Sequence, residues 1–79
     1  MTATATRKMY RISEELRAGL GLELATKRQE HADLDAAIHA LIETGRADAM
    51  TLHRLKKKKL LLKDRIVELE QILLPDIIA

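Results

Sequence analysis

Leu20, Leu24, Lys27, His31, Leu34, Ile38 and Leu41 recur along the chain at spacings of four and three. The same rhythm returns in Leu52, Leu55, Lys59, Leu62, Ile66, Leu69 and Leu73. A repeat of this period lines up on one side of an α-helix and marks a seam against another helix. Ser13 is a helix N-cap, with Glu14 and Glu15 in the first turn, where carboxylates suit the helix dipole. Gly45 supplies a stop and Asp48 the next N-cap. The pattern predicts a helix over about 13–44, a turn at 45–48 and a second helix over about 49–74. Pro75 ends the second helix and leaves a short apolar tail. Residues 1–11 have no period and read as a flexible basic tail. Gly19 and Gly21 each cost about 1 kcal/mol relative to Ala inside a helix. The first two turns are therefore expected to fray, or the ordered helix to begin near Leu22.

A connection as short as 45–48 forces the helices antiparallel. Folding about it pairs Leu41 with Leu52, Ile38 with Leu55, and Leu34 with Lys59. His31 then meets Leu62, Lys27 meets Ile66, and Leu24 meets Leu69. The two registers agree without adjustment, which predicts an all-α, antiparallel two-helix coiled-coil hairpin. Charge favours the same pairing. Residues 12–45 hold three basic and seven acidic side chains, net −4; residues 46–79 hold eight and five, net +3; the tail adds +3. Asp35 is placed for Lys56 or Lys59, and Glu30 for Arg65, although each exposed pair contributes only about 0.2–1 kcal/mol.

The run "RLKKKKLLLKDRI" at 54–66 looks at first like a nucleic-acid or membrane element. Consecutive helical residues lie about 100° apart, so Lys56, Lys57, Lys58 and Lys59 spread around the helix. Lys59 falls on the seam, where its stem packs and its ammonium reaches out to a carboxylate. Lys56 flanks the seam. Lys57 and Lys58 look outward and, with Arg54 and Arg65, form the candidate nucleic-acid contact. Leu60, Val67 and Leu74 recur every seven residues away from the seam, with Leu61 beside them. Such a second stripe usually marks another helix's docking site, and a lone hairpin of this size barely offsets its ordering entropy. A homo-oligomer, dimer or larger helical bundle, is expected, with Leu60, Leu61, Lys63, Asp64, Val67 and Leu74 at its interface.

Composition removes several classes of function. The 79 residues allow one small domain; there is no Cys, Phe or Trp, and Tyr10 is the single aromatic. Disulfides, thiolate metal sites and aromatic stacking platforms are therefore excluded. His31 with Asp35, and His39 with Glu43, have i, i+4 spacing but are only half-sites for a metal. A histidine bonded to a neighbouring carboxylate is the expectation at His31. No glycine-rich phosphate loop appears, and two helices offer no deep pocket. No catalytic residue, metal, cofactor or small-molecule substrate is expected. Nothing reads as a signal peptide, and no apolar run reaches the roughly 20 residues needed to cross a bilayer. A cytoplasmic location is the default.

"HADLDAAI" at 31–38, followed by "LKKKKLLLKDRI" at 55–66, resembles the YdcH-like family of small bacterial helical-hairpin proteins of unknown function. The shared pattern falls on His31, Leu34, Asp35, Ile38, Leu55, Lys56, Lys57, Lys59, Leu60, Leu62, Lys63, Asp64 and Ile66. The resemblance implies a bacterial, cytoplasmic, all-helical hairpin and no established activity or cofactor. Two classes of function stay open. One is a self-associating structural or adaptor module that offers a helical surface to a protein partner. The other is a nucleic-acid- or ribosome-associated factor using the lysine-rich second helix and the basic tail.

Overall fold

The computed structural model describes residues 13–74. The expected basic tail at 1–11 and apolar tail after Pro75 lie outside the described residues. Helix α1 spans Glu14–Glu43 and helix α2 spans Ala49–Leu73, packed side by side as an antiparallel all-α hairpin. At about 1.5 Å per residue, α1 is a rod about 45 Å long.

Each helix end is closed by local chemistry. Ser13 Oγ accepts the Leu16 N–H at 3.0 Å, and Asp48 Oδ1 accepts the Thr51 N–H at 2.7 Å. These oxygens satisfy amides that have no partner inside a first helical turn. At the C-terminus of α1, the Gly45 N–H donates to Ile42 O and the Arg46 N–H to Leu41 O. Gly45 has φ +68°, the left-handed conformation that this double closure requires. The Thr44 hydroxyl also donates to Ala40 O at 2.8 Å. The turn is thus held by backbone bonds, and it sends the chain straight back along α1.

Gly19 and Gly21 do not interrupt α1, which is helical from Glu14. The Ser13 cap and the packing of Leu20 against the core outweigh their propensity cost. All fourteen seam positions are buried or half-buried; Leu24, Ile38, Ile66 and Leu69 are buried, and of these Leu69 is fully so. Leu24, Ile66 and Leu69 form one cluster, closed by Leu20 and Leu73 toward the open end. Ile38 lies nearer the turn, with half-buried Leu34, Leu41, Leu52 and Leu55 around it in register. Half-buried Lys27, His31 and Lys59 separate these two apolar stretches. No polar side chain is buried among the described residues.

The glycines give a two-sided test of this account. A Cβ at Gly21 meets nothing, so Gly21→Ala should stabilise the hairpin by up to about 1 kcal/mol. Gly45→Ala finds equally open space but inherits the left-handed φ, and should cost about 1–2 kcal/mol. Urea unfolding followed by helical circular dichroism, at one fixed protein concentration, reads both signs.

Candidate interaction surfaces

Three charge pairs cross between the helices. Lys59 Nζ donates to Asp35 Oδ1 at 2.7 Å, and Arg28 Nη2 to Glu70 Oε2 at 2.7 Å. Arg65 clasps Glu23 with both prongs, Nε to Oε2 at 2.7 Å and Nη2 to Oε1 at 2.8 Å. Its remaining nitrogen, Nη1, donates to Glu68 at 2.6 Å. This two-pronged geometry matches a planar guanidinium to a carboxylate and is stronger than a single contact.

Several sequence expectations change here. Glu30 does not pair with Arg65; it faces Lys27 at 3.6 Å, one turn away on its own helix. Glu23 replaces it because Glu68, one turn beyond Arg65, draws the guanidinium toward the open end, where Glu23 lies. Lys56 takes no part in the Asp35 pair, because Lys59 sits on the seam and reaches the carboxylate first. His31 makes no hydrogen bond to a carboxylate among the described residues. It lines a groove with Lys56, Lys59, Leu60 and Lys63 while Asp35 is taken by Lys59. His39 Nε2 lies 3.9 Å from Glu43 on an exposed turn. Arg65, held between two carboxylates, is withdrawn from the candidate nucleic-acid contact. The Arg28–Glu70 pair is absent from the sequence expectations, although both residues flank the seam at matching heights.

Viewed down its axis, α2 divides into three sectors about a third of a turn apart. The first is the seam. The second carries Leu60 and Val67, which remain 59% and 38% exposed, and the C-cap Leu74, 40% exposed, continues it just past the helix end. The third carries Arg54, Lys57 and Lys58, all exposed and in no ion pair with a described residue. Leu61 belongs to this third sector, not to the apolar ridge, because one residue beyond Leu60 turns it by about 100°. Lys63 and Asp64 flank the ridge on its two sides, both exposed. The outward side of α1 is plainer, with Ala18, Ala25, Ala32 and Ala36 exposed along it and Leu22 among them.

The recesses along this surface are shallow grooves beside the helix junction. Among the described residues, no three His, Cys, Asp or Glu side chains come together as a metal site, and no helix is long and apolar enough to cross a membrane. The fold defines the chain as a small all-α hairpin whose distinctive chemistry lies on its outer faces. Residues 24–70, more than half of the chain, match a family model described as "Protein of unknown function (DUF465)", and the chain belongs to that family. The match runs from the first buried leucine of the seam to the glutamate that Arg28 holds, and it agrees with the YdcH-like resemblance. No curated protein and no solved structure matches the chain.

The cross-helix pairs make stability depend on acid. Hydrogen bonding from Arg65 holds the Glu23 carboxyl below its ordinary range, and hydrogen bonding from Lys59 does the same for Asp35. A carboxyl lowered in the folded state stabilises the fold above its unfolded pKa and loses that effect as pH falls through the lowered value. The melting temperature should therefore fall as pH drops from about 5 toward about 2. A Glu23→Gln, Asp35→Asn variant, already less stable near neutrality, should lose less over the same interval in calorimetry.

Proposed function

We propose that this chain is a non-enzymatic interaction module, a helical hairpin that pairs with a second copy of itself and offers its outer helical faces to another protein. The exposed ridge of Leu60, Val67 and Leu74 supports this reading most directly. It stands on a hairpin whose own seam buries four side chains among the described residues. Small scaffolds with so little core commonly gain stability by oligomerisation. Docking helix on helix would bury the ridge by the same apolar chemistry that closes the seam.

Charge favours an antiparallel second copy. A parallel pairing about the ridge would bring the two lysine runs at 56–59 side by side at one height, Lys56 of one copy against Lys57 of the other. An antiparallel pairing centred on Val67 sets Leu60 against Leu74. On one flank it places Lys63 opposite Glu70, whose Oε1 accepts no hydrogen bond from a described residue. On the other flank it places Asp64 opposite Gln71. Unlike neighbours replace like ones, and a two-fold contact of this kind closes without leaving a free edge.

Light scattering on the purified chain tests the reading. The wild type should run at twice the chain mass, and a Leu60→Glu, Val67→Glu variant at the chain mass with its helical signal retained. A variant that keeps the wild-type mass would remove the ridge from the interface.

A further inference from the structure

The seam and the ridge use two sectors of α2, and the third is basic. Arg54, Lys57 and Lys58 sit within one turn and a fraction of the helix. Their spacings of three, four and one put them on a common side. Of the four consecutive lysines, only Lys59 is bound to a carboxylate of α1. The cationic patch is therefore left unneutralised, as are Lys56 and Lys63, by a fold that pairs Lys27, Arg28, Lys59 and Arg65. Arg46, at the turn, is likewise exposed and in no ion pair with a described residue.

The antiparallel pairing gives this patch a partner at a defined distance. The two-fold axis of that pairing is perpendicular to the plane of the two α2 helices, so both patches appear on the same face. Helix α1 lies a third of a turn away on the other side of that plane and leaves the face open. The patch centres on Lys56's position in sequence, eleven residues from Val67. At about 1.5 Å per residue this is about 16 Å, and the two-fold doubles it to about 33 Å. One turn of B-form DNA repeats at about 34–36 Å. We infer that the paired hairpin binds duplex DNA without sequence preference, each Arg54, Lys57 and Lys58 patch meeting phosphates on successive turns of one side of the duplex. This rests on the proposed self-pairing. A single arginine and two lysines on an exposed helix side, held by no hydrogen bond to a described residue, meet phosphates as charges and fix no pattern of base contacts. Asp64 and Glu68 lie between the patches, so attraction concentrates at the two ends and not in the middle.

The test uses the full-length chain and fluorescence anisotropy with two labelled duplexes. One is about 24 bp long, and the other is an about 8-bp duplex closed by a hairpin loop, too short to span both patches. With about six phosphates engaged, affinity for the long duplex should fall about 10³-fold between about 50 and 200 mM salt. The short duplex should bind at least about tenfold more weakly and show about half that salt slope, since it meets one patch. Arg54→Glu, Lys57→Glu, Lys58→Glu should abolish binding of both, while its mass in light scattering stays that of the wild type. Leu60→Glu, Val67→Glu should bind the two duplexes with the same shallow slope.

A wild type that is monomeric in light scattering overturns the pairing and this inference together. A dimer that ignores DNA at low salt, or whose charge-reversed form binds equally well, overturns the DNA inference alone. So does a dimer with identical salt slopes on the two duplexes, or one that vesicles of anionic phospholipid capture in preference to the long duplex.

Discussion

The two helices of the described residues share one interface, and the other properties of the hairpin follow from how little that interface can hold. A seam between two cylinders shields a strip one or two side chains wide, and here it buries four of the described residues, of which Leu69, at 0% exposure, is fully enclosed. No point of such a strip is far from water. That is why Lys27, His31 and Lys59 are tolerated on it: their stems fill the strip while their polar ends reach solvent or an edge carboxylate. In a thicker bundle the same residues would need buried partners at a large desolvation cost. Here they divide the apolar contact in two without leaving a buried polar atom unsatisfied among the described residues.

With so little burial, register depends on features that cost little individually. The Gly45 closure fixes where α2 starts relative to α1, and the charge pairs resist sliding. Asp35–Lys59 and Arg28–Glu70 bridge one edge of the seam, and Glu23–Arg65 bridges the other. Exposed pairs of this kind contribute about 1 kcal/mol or less each, so they are not the source of stability. Their effect is discriminating. A slip of one turn would separate all three and bring the two-pronged Arg65 away from its carboxylate, while leaving leucines still facing leucines.

The parts of this architecture that repeat or cap were legible in the sequence. The heptad positions, the Gly45 stop and the Asp48 cap depend on a residue's own type and its spacing. What was not legible depends on competition between near-equal choices. Arg65 had several carboxylates at similar height, and Glu68 decided the outcome by lying one turn beyond it on the same helix. The glycines at 19 and 21 look like breakers in isolation, because the cap before them and the packing of Leu20 between them enter only when the whole helix forms. Leu61 looks like part of the apolar ridge by adjacency, yet about 100° of rotation moves it among cations. The candidate surfaces were thus readable as residues and misread as groupings.

The same geometry explains why the two helices are so unlike on their outer sides. Helix α1 turns alanines and carboxylates to solvent, with Leu16, Leu22 and Ile42 exposed separately among them and in no continuous ridge. Its small side chains bring little apolar area, and its acids are partly committed to α2. Helix α2 has no such idle side: one sector closes the hairpin, one is a leucine and valine ridge, and one is a cluster of unpaired cations. A partner docked only on the alanine side would leave Leu60 and Val67 in water and the cations unscreened. A partner on α2 resolves the first of these, and an anionic surface the second. The asymmetry makes α1 a counter-helix whose seam and acids pair with α2, and leaves the leucine and valine ridge and the cation cluster both on α2.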